Sequence, residues 1–226
     1  MALGNNFHIK EFDSEVLREY DIRGIVDTNI TENTAYTIGR VFGHEVLSRL
    51  RSNNISVGYD GRLTSPKLFR ALSEGLKDSG SIVSNIGICP TPMLYFADYH
   101  LNTDAAIMIT GSHNPSEYNG FKLVLNKHSF YSDDIQNFQK IVLNNKLNKK
   151  EGKIKNIEIK DDYVQRILKN IFIKKKLKIS WDIGNGAMGV IIEELISKLY
   201  NTENILYHQH HLFLVLEIFL TDYLPI

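Results

Sequence analysis

Cysteine occurs only once in these 226 residues, at Cys89, so no disulfide can form within the chain, and a reducing, cytoplasmic setting is expected. Net charge is lacking as well. The 26 Lys and Arg balance 26 Asp and Glu, which leaves no long-range pull toward nucleic acid or an anionic membrane. Any anion must then be captured by local groups. The start, Met1-Ala2-Leu3-Gly4-Asn5-Asn6, has no basic stretch followed by an apolar one, so no export signal is read there. Long apolar runs are missing too: the most apolar, Leu212 to Leu220, is broken by Glu217 and falls short of the roughly 20 residues of a membrane helix. No internal repeat is visible. Three histidines, His208, His210 and His211, lie close together, yet without a carboxylate or cysteine at ligand spacing they do not read as a metal site.

What is present is ordinary globular material, 43% hydrophobic and 23% charged, arranged as compact apolar runs alternating with helical patterns. Thr31 to Leu50 predicts a long helix, with Ala35, Ile38, Phe42, Val46 and Leu50 at helical spacing. Ile55 to Tyr59 predicts a strand. Ser65-Pro66 reads as a cap and first-turn proline opening a helix whose stripe is Leu68, Leu72 and Leu76, closed by Gly80. Ile82 to Ile86 is a second strand, Thr91 to His100 a helix, and Asp104 to Ile109 a strand of small and apolar residues suited to burial on both faces. Gly120 to Leu125 and Ser132 to Leu143 follow as strand and helix. Asn144 to Lys155, polar and rich in Lys and Asn, reads as a linker between domains. Beyond it, Asp161 to Leu168 (helix), Leu177 to Ile183 (strand) and Gly186 to Tyr200 (helix) open a second α/β unit. The run Lys174-Lys175-Lys176 reads as a solvated face, and Cys89 as a small core residue.

The stretch with chemistry in it is Ile109-Thr110-Gly111-Ser112-His113-Asn114-Pro115, followed by Asn119-Gly120-Phe121-Lys122-Leu123. It sets a serine in a glycine-bearing polar loop directly after an apolar strand, where open α/β sheets commonly hold ligands. Gly111 would let backbone approach a ligand, neighbouring N–H groups could cradle an anion, and His113 and Lys122 add a titratable group and a cation. By residue types and spacing alone, an ordinary turn is the commoner reading of such a loop and a nucleophilic serine the weaker one. Arg23 and Arg62 likewise read as surface ion-pair residues, and Asp60-Gly61 and Asn185-Gly186 as turn dipeptides.

Thr110-Gly111-Ser112-His113-Asn114-Pro115 with Tyr118-Asn119-Gly120-Phe121-Lys122 resembles the phosphoserine signature of the α-D-phosphohexomutases, the family that includes phosphomannomutase and phosphoglucomutase. Tyr20-Asp21-Ile22-Arg23-Gly24, Val57-Gly58-Tyr59-Asp60-Gly61-Arg62 with Ser65-Pro66, Gly87-Ile88-Cys89-Pro90-Thr91-Pro92 and Asp182-Ile183-Gly184-Asn185-Gly186-Ala187 are similar to further family segments, in the family's order, from about Tyr20 to about Tyr207. The resemblance implies an α/β fold: a mixed-sheet, three-layer phosphohexomutase-type first domain over 1–150, then an incomplete second α/β domain over 151–226. It implies isomerase chemistry on mannose or glucose phosphates through a hexose 1,6-bisphosphate. Ser112 would carry the phosphoryl group, Lys122 would act as general base, Arg23 would hold phosphate charge, and His113, Asn114, Gly111 and Tyr20 would line the phosphate and substrate site. Mg2+ would bind beside Ser112 through its phosphate.

The family's Asp-Gly-Asp-x-Asp-Arg metal loop, its Gly-Glu sugar loop and its C-terminal phosphate loop do not occur in this sequence. The resemblance therefore implies a chain truncated before them, weakly active by itself and dependent on a complementing C-terminal fragment. Eleven of the fifteen residues from Leu212 to Ile226 are apolar or aromatic, without Gly, Lys or Arg, so the tail from about His211 reads as aberrant, the product of a frameshift or premature stop. A non-catalytic remnant and an interaction module using the domain as a scaffold remain as other readings.

Overall fold

The computed structural model describes residues 7–144 and 147–207. The three histidines and the apolar tail expected to be aberrant lie outside the described residues. The chain divides into two units, Met1–Ile157 and Glu158–Ile226, so the boundary falls a few residues beyond the expected position near 150.

The first unit is built on strands β1 (Ile22–Ile25), β2 (Asn54–Tyr59), β3 (Ile82–Ile88), β4 (Ala105–Ile109), β5 (Tyr118–Leu125), β6 (His128–Phe130) and β7 (Lys153–Asn156). Their order is β1-β5-β4-β2-β3-β7, with β6 paired to β5. β2, β3, β4 and β7 run parallel, while β5 is antiparallel to both β4 and β1, which makes the sheet mixed as expected. β7 lies in what the sequence suggests is linker. All four of its residues are exposed, so it has no apolar alternation to betray it, and only backbone pairing to β3 makes it a strand.

Helices α1 (Glu32–Leu50), α2 (Ser65–Lys77) and α4 (Asp133–Leu143) contribute Ile38, Phe42, Leu72, Phe138 and their neighbours to one core shared with Ile55, Ile107, Phe121 and Leu123 of the sheet. Helix α3 (Thr91–His100) packs on β2 and β4, with Met93, Leu94 and Ala97 buried. Helices thus flank the sheet on both sides, and β4 is buried along its whole length. α1 begins at Thr31, whose hydroxyl accepts from the Thr34 amide in a capping box. α2 departs from expectation at its start. Its N-cap is Thr64, which makes no side-chain cap bond, and Ser65 donates its hydroxyl to Asp60 Oδ1 at 2.6 Å.

α1 and α2 approach at glycines. A Cβ on Gly39 would lie 2.3 Å from Leu72 O, and one on Gly75 would lie 2.2 Å from Tyr36 O. Without side chains there, the two backbones meet directly.

The second unit contains α5 (Lys160–Leu168), β8 (Leu177–Asp182), a 3₁₀ turn (Ala187–Val190), α6 (Ile192–Ser197) and β9 (Thr202–Tyr207), with β8 and β9 paired in parallel. The expected long helix from Gly186 is reduced to the 3₁₀ turn and six residues of α6, consistent with Gly186 and Gly189 disfavouring helix. The lysine run is exposed, with Lys176 paired to Glu203. No helix among the described residues is long and apolar enough to cross a membrane.

Two outcomes follow. Gly75→Ala, favourable for helix propensity, should lower stability by about 1–3 kcal/mol in urea melts, because the added methyl meets backbone rather than a movable side chain. Burial pushes the Cys89 thiol up to about 12. At pH 8 its thiolate is therefore about a thousandfold scarcer than that of an ordinary cysteine, and iodoacetamide should label it only after denaturation. The sign follows: folding keeps the thiol neutral, so this group's contribution falls as pH rises above the free thiol's range.

Candidate active site

The loop between β4 and β5 carries Ser112, and a network centred on Asp60 and Arg62, just past the end of β2, shapes it. The Arg62 guanidinium donates to four loop carbonyls: Pro115 O at 2.7 Å, Tyr118 O at 3.0 Å, Ser112 O at 3.1 Å and Asn114 O at 2.6 Å. Asp60 holds the other side. Its Oδ2 accepts from the Gly111 amide at 3.2 Å and faces Arg62 Nε at 3.4 Å, while its Oδ1 accepts from the Arg62 amide and the Ser65 hydroxyl. Buried Asn119 extends the network by donating to the hydroxyls of Thr64 and Ser65, each at 3.0 Å. Asp60 and Arg62, which read as turn and surface residues in the sequence, are the framework of the serine loop.

This geometry revises two expectations. Gly111 leaves room for Arg62 rather than for a ligand, since a Cβ there would lie 2.4 Å from the guanidinium carbon. The loop amides are also largely committed inward: Gly111 N–H to Asp60, Ser112 N–H to Thr110 Oγ1 at 2.9 Å, and Asn114 N–H to Gly111 O at 3.1 Å. The Asn114 side-chain N–H likewise goes to Gly111 O, at 2.9 Å. A backbone cradle for an anion is therefore not what the loop offers, and charge compensation falls to side chains.

Ser112 itself is exposed, with φ of 53°, a left-handed conformation costing a non-glycine residue about 1 kcal/mol. Its hydroxyl lies 3.2 Å from His113 Nδ1.

Two of the expected cations sit together nearby. β1 pairs with β5 so that Arg23 is opposite Gly120, and Thr110 N–H bonds to Gly120 O, so Arg23, Gly120 and Thr110 form one row across the sheet. Two strand spacings separate the ends of that row, roughly 10 Å. Arg23 and Lys122 share the buried carboxylate of Asp21: both point to its Oδ2, Lys122 Nζ at 3.4 Å. Arg23 Nε is buried with no partner among the described residues, a donor left for an oxyanion. Neither cation bonds Ser112 directly. Asp21 was legible only as part of a motif, because nothing in its spacing shows that two cations converge on it.

Tyr20 lies at a wall of this region. It is 69% exposed, stacks on Tyr131 at 6.3 Å, and with Tyr95, Lys122, Leu123, Ser129 and Tyr131 lines a cleft of about 390 Å3. Glu19 beside it pushes the Tyr20 phenol up, and burial does the same for Tyr95.

For Mg2+ the fit is poor. Among the described residues no group of three or more His, Cys, Asp or Glu is placed to hold a metal. The Asp60 carboxylate is already filled, and Asp21 is held between two cations. Only an oxygen on a phosphorylated Ser112 would be offered from this site.

Fold and site together define a mixed-sheet α/β domain that presents an exposed serine from a clamped loop, with two cations gathered on Asp21 on the neighbouring strands. The description "Phosphoglucomutase/phosphomannomutase, alpha/beta/alpha domain I" matches residues 14–149. The chain is 44% identical over 184 residues to a phosphomannomutase/phosphoglucomutase of Pseudomonas syringae pv. tomato, covering 81% of this chain and 39% of that protein. It is 37% identical over 189 residues to a phosphoglucomutase of Neisseria meningitidis serogroup A, covering 83% and 41%. A solved structure of a phosphoglucomutase/phosphomannomutase family protein from Burkholderia thailandensis superposes with a TM-score of 0.80 at 34% identity, covering 87% of this chain and 44% of that one. This chain belongs to the phosphoglucomutase/phosphomannomutase family. It spans about two fifths of the length of the curated relatives it matches.

Replacing Arg62 with Ala should lower stability by about 2–4 kcal/mol in denaturant melts, since four carbonyls lose a charged donor. Hydrogen exchange should speed up most in 111–118, while Arg62→Lys, a single point charge, should restore only part of the protection.

Proposed function

We propose that this chain is the phosphoryl-carrying portion of a phosphohexomutase, working in the cytoplasm on mannose or glucose 6-phosphate and 1-phosphate through a hexose 1,6-bisphosphate. The observation that carries this reading is the exposed Ser112 hydroxyl on a loop fixed by Asp60 and Arg62, beside His113 and two residues beyond Thr110, whose sheet row holds Arg23, with Lys122 two residues further along β5 sharing Asp21 with Arg23.

In the proposed step a sugar hydroxyl oxygen attacks the phosphorus of phosphorylated Ser112, and the bond from phosphorus to the serine oxygen breaks. Lys122, having first released its own proton to solvent, takes the hydroxyl proton as a neutral amine, and the released serine oxygen regains a proton from protonated His113, whose Nδ1 is its hydrogen-bonding neighbour. Arg23, with its free Nε, holds phosphate charge through the transfer. Tyr20 and Tyr131 form a wall of the cleft in which the sugar would lie. Mg2+ would supply further charge neutralisation as a family expectation, and no step is derived through it because its protein ligands are not among the described residues. Since the chain spans about two fifths of its relatives' length, the proposal for the chain by itself is limited to accepting and donating the phosphoryl group. The full isomerisation is proposed with a complementing C-terminal fragment.

Incubated with glucose 1,6-bisphosphate and magnesium, the chain should gain one phosphate, mapped by peptide mass spectrometry to Ser112. Ser112→Ala should gain none, and Lys122→Ala should slow the gain by about a hundredfold. Phosphate that never appears on Ser112, or that appears equally on the Ser112→Ala chain, would overturn the assignment in favour of a non-catalytic scaffold.

A further inference from the structure

A second arginine in the first unit shows the same unmet donor as Arg23, far from the serine loop in the chain and serving nothing in the proposed reaction. Arg40, on α1, is 3% exposed, and its Nε is buried without a partner among the described residues. Its other nitrogens are engaged, one with the Tyr36 hydroxyl at 3.3 Å and one with Leu147 O at 2.8 Å. A buried guanidinium with an idle N–H is expensive to maintain, and such a group is normally met by a water or an ion.

Arg40 lines a cavity of about 110 Å3 together with His44, Leu47, Ser79, Asn148 and Lys150. The composition of that lining is one-sided: two fixed cations and an imidazole, with no carboxylate. Neither the His44 ring nor the Lys150 ammonium has a hydrogen-bond or ion-pair partner of its own among the described residues. The nearby acid, Asp78, is already taken, since its Oδ2 accepts from the Tyr36 hydroxyl at 2.6 Å and from Lys149 at 2.8 Å. The other acid on this part of α1, Glu45, pairs with Arg49. Asp78 also compensates Arg40 in part, through Tyr36, but it is shared with Lys149, so the one carboxylate faces Arg40 and Lys149 and leaves the charge of Lys150 without an ion pair among the described residues.

We infer that this cavity is a binding site for a small tetrahedral oxyanion of the phosphate type. The donors come from two separate places in the fold, Arg40 and His44 from α1 and Asn148 and Lys150 from the segment leading into β7, while Ser79, whose hydroxyl already donates to Arg40 O and Gly75 O, only lines the wall. Donors on two sides of the cavity match oxygens that point in several directions, and Arg40, with only Nε idle, does not offer the two-pronged fork that a planar carboxylate takes. The volume holds about three or four waters, enough for a bare oxyanion and too little to enclose a hexose phosphate. Binding would tie α1 to residues 147–150, which are joined to it in side-chain terms by the Arg40–Leu147 bond.

The test is a titration of the isotope-labelled full chain with inorganic phosphate, followed by 1H–15N NMR. Saturable shifts should centre on residues 40, 44, 79, 148 and 150. His44→Ala and Lys150→Ala, both at positions outside the apolar core, should each weaken binding about tenfold. Ser112→Ala should bind phosphate at this cavity as tightly as the parent, which separates this site from the serine loop whether or not the phosphoryl-carrier reading stands. Shifts confined to residues 110–122, no saturable shift at all, or unchanged affinity in both His44→Ala and Lys150→Ala would overturn the inference and leave Arg40 Nε to an ordinary buried water.

Discussion

Everything at the serine loop depends on one guanidinium. A loop of eight residues between two antiparallel strands has many conformations, and a serine at φ of 53° is not the one it would choose unaided. Arg62 selects it by bonding four carbonyls at once, and Asp60 fixes Arg62 and the loop's first amide together. Charged donors on carbonyls in a partly buried setting give stronger bonds than neutral pairs, which is enough to offset the local strain. The arrangement also explains why a glycine must stand at 111: a side chain there would occupy the place of the guanidinium.

That clamp determines how charge can be handled. With the loop amides turned inward, a phosphate on Ser112 would meet few backbone donors, so side chains must supply the compensation. Arg23 and Lys122 are the cations placed for it, and Asp21 keeps the pair together in the absence of an anion. Two cations sharing one carboxylate carry a net positive charge, with Arg23 Nε still unfilled. Under the proposed function an arriving phosphoryl group would satisfy that remainder, without requiring the cations to be assembled at the moment of reaction.

The sequence carried the regular elements well and the clamp poorly. β4 was legible because small and apolar residues without interruption fit a strand buried on both faces, and α2 because Leu68, Leu72 and Leu76 mark one helical stripe. Mixed strand direction came from the family resemblance, since no residue pattern separates β5 running antiparallel from a parallel strand. β7 was missed because its four residues are all exposed and its only credential is backbone pairing. Arg62 and Asp21 were missed as organisers for a related reason: their partners lie about 50 and 100 residues away, and the contacts go to carbonyls or to a shared carboxylate, neither of which leaves a spacing signature.

The same reasoning separates the two arginines that retain idle donors. An arginine whose nitrogens are all used, such as Arg62, is finished as a structural element. Its geometry would be damaged by any ligand that competed for it. Arg23 and Arg40 are each held by some of their nitrogens and left open at Nε, an arrangement that orients the guanidinium while reserving a donor. Anchoring of this kind lowers the entropy lost when an anion binds, because the side chain is already ordered before the ligand arrives. The distinction between a fully committed arginine and a partly committed one therefore marks, within a single domain, where charge serves the fold and where it remains available for binding.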